Sequence, residues 1–104
     1  MSSILDDLQV IRDFGLAVVL VYVGCDLVSI DHSGRKPEFV ILVPKFDLEE
    51  YRREYEEGRL QVADAKAICQ THSSLGRLCA DTKRQGGVYV NPDFREMLRD
   101  EAAR

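Results

Sequence analysis

The sequence is poor in cysteine, in low-complexity stretches and in long apolar runs. Its three cysteines, Cys25, Cys69 and Cys79, are odd in number and widely spaced. A secreted disulfide framework carries more cysteines, in even number. Three reduced thiols in a cytoplasmic protein are therefore expected. The most apolar run, Leu16 to Val23, is too short for a bilayer, which takes about 20 residues. The opening "MSSILDDLQVIRDFG" has acids where a secretion signal has a basic segment. No membrane association is expected. There are no repeats, and no GxGxxG or GxxxxGK[ST] spacing that would cradle a phosphate.

What is present suits one folded domain. The chain has 104 residues, of which 45% are hydrophobic and 31% charged. That length supports one core without metal or disulfide staples. The net charge of −4 disfavours nucleic acid globally, so contact with it requires a local basic patch.

Proline and glycine divide the chain into elements. Ser3 to Asp6 reads as a capped helix start, with Ile4, Leu8 and Ile11 at helical spacing. Asp13 is a second candidate cap, before "FGLAVVLVYVG". That run is all apolar: its β-branched valines favour a strand, its closing Gly24 a helix. "CDLVSIDHSGRKPEFVILVP" reads as an antiparallel hairpin around a Ser-Gly loop. Its second strand is apolar on both faces, which predicts packing on each side. Asp47, with Glu50 three residues on, is expected to cap an acidic helix that Gly58 stops. Val62, Ala65, Ile68, Cys69, His72, Leu75, Leu78 and Cys79 recur at helical steps in a longer helix. "VYV" after Gly86-Gly87 suggests an edge strand, and Asn91-Pro92 opens a last helix. The expected fold is α+β: an antiparallel hairpin or three-stranded sheet packed with three to four helices. The expected core is 13–85, with a helical extension over 1–12 and a C-terminal extension over 86–104.

Candidate chemistry is sparse. Asp31-His32-Ser33 has the letters of a hydrolase triad, but neighbours on a strand end do not converge. A polar hairpin tip is the simpler reading. Cys69 and His72 lie one turn apart, with Cys79 further along and Cys25 elsewhere. Zinc sites bring paired CxxC knuckles, which are missing, so no metal or cofactor is expected. The two also sit on a stripe that reads as buried, which disfavours a catalytic pair. No small-molecule substrate is evident, and no enzyme activity is expected.

Two surfaces remain. Arg77, Lys83 and Arg84 surround the end of the long helix, ahead of the glycine pair and Tyr89, and the hairpin loop adds Arg35 and Lys36. Cations beside an aromatic could hold a phosphate backbone and stack a base. Helix-end cations also simply complement the helix dipole. The second surface is the acidic helix, with Glu50, Glu54 and Glu57. Together with Phe94 and Met97 on the last helix it is a candidate for protein contact, including a homodimer. The "VYV" edge is another place for pairing.

The pieces "LAVVLVYVGCDLVSIDHSGRKPEFVILV", "LEEYRREYEEGRLQV" and "ADAKAICQTHSSLGRLC" resemble a family of short uncharacterised domains. Phages, plasmids and integrated mobile elements encode them. The resemblance covers about two thirds of the chain and rests on spacing and apolar pattern. It implies a helix over 14–23 and a mobile-element setting, often beside replication or recombination genes. It brings no catalytic residue. It suits a non-enzymatic accessory protein that binds nucleic acid or a protein machine.

Overall fold

The computed structural model describes residues 4–102. A 3-10 turn, Ile4–Asp7, leads into strand β1 (Leu8–Ile11). Helix α1 (Phe14–Tyr22) follows, then β2 (Asp26–Asp31) and β3 (Glu38–Leu42). Helices α2 (Lys45–Glu56) and α3 (Ala65–Arg84) come next, then β4 (Val88–Val90) and α4 (Pro92–Ala102). The sheet is antiparallel throughout, in the order β1-β3-β2-β4. The fold is a small α+β domain, with one strand more than the sequence suggested.

Helix α1 resolves the all-apolar segment. Asp13 adopts an extended conformation, and its carboxylate accepts from Leu16 N at 3.2 Å. That satisfies one of the free N–H groups of the first turn. Leu16, Ala17, Val18, Val19 and Leu20 are all buried. A helix apolar on every side belongs inside, and α1 sits among β1, β3, α2 and α3. Burial thus overrides the strand preference of its valines.

One face of the sheet is fully buried. Ile11, Ile30, Phe39 and Ile41 share a side by register and are at most 1% exposed. Leu8, Val40 and Leu42 on the other side are only half-buried, and Val10 is 47% exposed. The two sides of β3 differ in degree: Phe39 and Ile41 are fully buried, whereas Val40 and Leu42 are half-buried. A register shift at Leu27/Ser29 inserts Val28 as an extra residue, and Val28 is itself fully buried.

The N-terminal segment departs from expectation as well. Residues 8–11 form a strand on the free edge of β3 instead of continuing a helix. Ile4, Leu8 and Ile11 do lie at helical spacing. A vacant sheet edge offers Gln9 and Ile11 backbone partners, and the core takes the Ile11 side chain; a helix here would give up both. The proposed cap at Ser3 lies outside the described residues. Segments expected to be extensions therefore supply both outer strands.

Two helix starts also move. Helix α2 begins at Lys45 behind Pro44, with no side-chain cap, and Asp47 falls within its first turn. There Asp47 still complements the helix dipole. Helix α3 begins after Asp64, whose carboxylate accepts from Ala67 N at 3.0 Å. Val62 precedes this cap and is exposed, so it is no part of the helical stripe. Gly58 ends α2 with φ +70°, as its position suggested.

Candidate nucleic-acid interface

The hairpin loop and the turn after α3 meet at one end of the sheet. His32 N donates to Gly87 O at 2.6 Å, and β4 pairs with β2 from Asp31–Val88 to Ser29–Val90. Gly87 has φ +89° and lies against Ser33 so closely that a Cβ would come within 3.1 Å of Ser33 Cα. Only glycine meets both demands. Gly87 N in turn donates to Thr82 O at 2.8 Å, and Thr82 is buried. The end of α3, the glycine turn and the hairpin loop are thus one connected unit.

This unit gathers cations from segments some fifty positions apart. Arg35 and Lys36 are exposed in the loop, and Lys83 and Arg84 are exposed in the last turn of α3. The acids among them are engaged. Arg84 forms an ion pair with Asp81. Asp31 Oδ1 accepts from Ser33 N at 3.0 Å and from Ser33 Oγ at 2.6 Å. These two bonds, the side-chain one first, hold the Asp31 carboxyl below the usual range. Four cations against two occupied acids leave a local excess of +2 on a chain of net charge −4.

The remaining residues of the expected patch are placed differently. Arg77 is exposed on α3, one turn before Asp81 and seven residues before Arg84, so the three share a side. Tyr89 pairs with Ile30 on the buried side of the sheet and packs on the core. Its ring supports the scaffold instead of offering a free stacking face.

Asp31-His32-Ser33 is a polar hairpin tip. His32 Nδ1 lies 3.4 Å from Gly34 O, away from the Asp31–Ser33 bond, so no relay forms. The cysteines do not meet either. Among the described residues, no group of three or more His, Cys, Asp or Glu side chains gathers as metal ligands would. Cys79 is buried in the core, Cys25 is half-buried, and Cys69 is exposed. His72 stacks edge-on against Phe14, with ring centroids 5.0 Å apart. The expectation that Cys69 and His72 are buried is corrected, since both are exposed. The burial boundary runs along α3: Leu75, Cys79 and Thr82 face inward. A shallow groove of about 550 Å³ lies beside Cys69 and His72, walled by Val18, Val19 and Ile68.

Glu50 and Glu54 are exposed along α2 and Glu57 at its C-cap, and Phe46 at its start is 71% exposed. Phe94 and Met97 on α4 are half-buried and stand outside the core cluster. Among the described residues, no helix is long and apolar enough to cross a membrane.

One residue with a structural role beyond its sequence signal is Asn91. Its Oδ1 accepts from Asp93 N at 3.0 Å, the expected cap. Its Nδ2 also donates to Leu27 O at 2.8 Å, and its backbone N donates to Val28 O at 2.8 Å. Asn91 therefore satisfies the carbonyls of the bulge in β2. Nothing in the local sequence marks that bulge.

Comparison with family models, with curated proteins and with solved structures returns no match.

Proposed function

We propose that the protein is a non-enzymatic accessory factor that binds a nucleic-acid backbone at the end of the sheet. The observation that supports this reading is the junction of the hairpin loop with the turn after α3. It holds Arg35 and Lys36 at the same end as Lys83 and Arg84, through Gly87 packed on Ser33. Exposed cations on a rigid frame suit phosphates, whose contacts position a duplex or single strand without reading its sequence. With Tyr89 half-buried and packed against the core, the reading rests on the cations and not on base stacking. The resemblance to mobile-element domains gives the setting: a small phage or plasmid protein acting beside replication or recombination.

The test is titration of labelled single- and double-stranded oligonucleotides at about 50 mM salt, where phosphate-dominated affinity is greatest. Binding should weaken steeply as salt rises. Lys36→Glu and Lys83→Glu should each weaken it and flatten the salt dependence by about one unit of slope. Arg53→Glu, on α2, should leave the slope unchanged. Absence of binding at low salt removes the reading.

A second reading rests on a separate observation. The exposed Phe46 stands at the start of α2, ahead of the exposed Glu50, Glu54 and Glu57. An aromatic anchor beside a row of acids suits a basic protein partner, such as the nucleic-acid channel of a larger complex. Capture of such a partner that Phe46→Ala and Glu54→Lys abolish, in the absence of oligonucleotide binding, favours this second reading.

A further inference from the structure

The two edges of the sheet are not equivalent. Strand β4 has three residues, bounded by Gly86-Gly87 and by Asn91-Pro92. A short strand next to proline offers little for another chain to pair with. Strand β1 has four residues and neither proline nor lysine. Its Val10 is 47% exposed.

The register of β1 shows which backbone groups face outward. Val43 N donates to Asp7 O at 2.8 Å, and Gln9 and Ile11 stand opposite Ile41 and Phe39. In an antiparallel ladder, alternate residues bond to one neighbour. Asp7, Gln9 and Ile11 therefore bond toward β3. The N–H and C=O groups of Leu8 and Val10 point away from the sheet. Their side chains lie on the face opposite Ile11 and Phe39, beside Leu42 and Val40.

The alternate residues Asp6, Leu8, Val10 and Arg12 are also self-complementary. A two-fold axis at Gln9 sets Leu8 opposite Val10 of a second copy and Asp6 opposite its Arg12. Each Leu8–Val10 pair exchanges two backbone hydrogen bonds, giving four across the axis. Both kinds of pair repeat by symmetry. The same axis sets Asp7 opposite Ile11; moving it to Leu8 or to Val10 sets Asp6 against Val10 or Leu8 against Arg12 and loses the Asp6–Arg12 pair. Arg12 already pairs with Glu38 at 3.1 Å, yet its side chain is 75% exposed. A guanidinium has five donors, so a second carboxylate can be accommodated.

We propose that β1 is a homodimerisation edge, pairing with β1 of a second copy about an axis at Gln9 to form one continuous eight-stranded sheet. The contact involves few residues compared with the about 20–30 per side of a standard interface. The dimer is therefore concentration-dependent.

Sedimentation of the full chain from about 10 µM to about 1 mM, a range suited to a small interface, tests this. The average mass should rise from 11.8 kDa toward twice that value. Val10→Lys should keep the protein monomeric, whereas Val88→Lys on β4 should dimerise like the parent. Arg12→Asp and Asp6→Arg should each be monomeric alone, through repulsion across the axis. Mixed one to one, they should form a heterodimer, which also shows that both variants are folded. A parent that stays at 11.8 kDa throughout the range overturns the proposal. So does dimerisation that survives Val10→Lys or is lost in Val88→Lys, or a mixture of the two charge variants that stays monomeric.

Discussion

The hydroxyl of Tyr55 on α2 occupies the space where any residue other than glycine at position 15 would carry its Cβ. Gly15 is the second residue of α1, and the same hydroxyl lies beside Asp13, the cap of that helix. One contact thus ties the end of α2 to the start of the central helix. Alanine at position 15 gains helix propensity, about 0.5–1 kcal/mol. It also overlaps the phenol, and overpacking costs about 1–3 kcal/mol. Gly15→Ala should therefore lower the midpoint of thermal unfolding. Tyr55→Phe in that background removes the obstructing oxygen and should recover part of the loss. A double-mutant cycle should return a coupling of about 0.5 kcal/mol or more.

Stability should decline on the alkaline side through the same tyrosine. Burial, and then the Asp13 charge, push the Tyr55 hydroxyl above its ordinary value. Tyr51 is raised as well, first by burial and then by neighbouring negative groups. An unfolded tyrosine ionises near pH ~10. Below that pH both states are protonated and the contribution is complete. Above it the unfolded chain loses its proton first, and stability falls until the raised folded value is passed. Melting curves should shift downward as the pH goes from about 9 to about 11, and Tyr55→Phe should reduce that shift.

The thiols should react in an order set by burial. Burial pushes Cys79 above its ordinary value, and burial followed by the Asp26 charge does the same for Cys25. Both effects lower the thiolate fraction at neutral pH. Cys69 is exposed on α3. Timed alkylation of the native protein with mass detection should label Cys69 first. Cys25 and Cys79 should follow only on unfolding or at higher pH. Cys69→Ser should remove the fast phase and leave the melting temperature near that of the parent.

Asn91 should matter more than an ordinary cap. Loss of a capping side chain costs about 0.5–2 kcal/mol. Asn91→Ala also leaves the Leu27 carbonyl at the bulge without its donor. Asn91→Asp separates the two roles: it keeps the acceptor for Asp93 N and lacks the donor for Leu27. Denaturant unfolding should rank the parent above Asn91→Asp, and Asn91→Ala last.

Local signals in the sequence identified most of the elements. The hairpin, the acidic helix, the long helix, the edge strand at Val88–Val90 and the Asn91-Pro92 helix start all follow from apolar period and turn chemistry. These depend on residues within a few positions of one another. Residues 8–11 misled for the opposite reason. Their spacing fits a helix, and only the vacant edge of β3, some thirty residues later, makes a strand the better solution. Cys69 and His72 lie on the apolar period of α3, but how far the burial stripe extends depends on where α1 sits.

The sequence by itself determined the class of fold, the helix start at Asn91-Pro92 and the presence of cations both in the hairpin loop and at the end of α3. Each is a property of adjacent residues: a cap, a turn, a charge. The tertiary structure decided which groups share a surface. It set the loop beside the end of α3 through Gly87 on Ser33, packed Tyr89 against the core and kept the cysteines apart. It also left β1 as an edge whose outward bonds and charges match their own two-fold image. Those outcomes depend on strand order and register, which long-range pairing creates and no local pattern encodes.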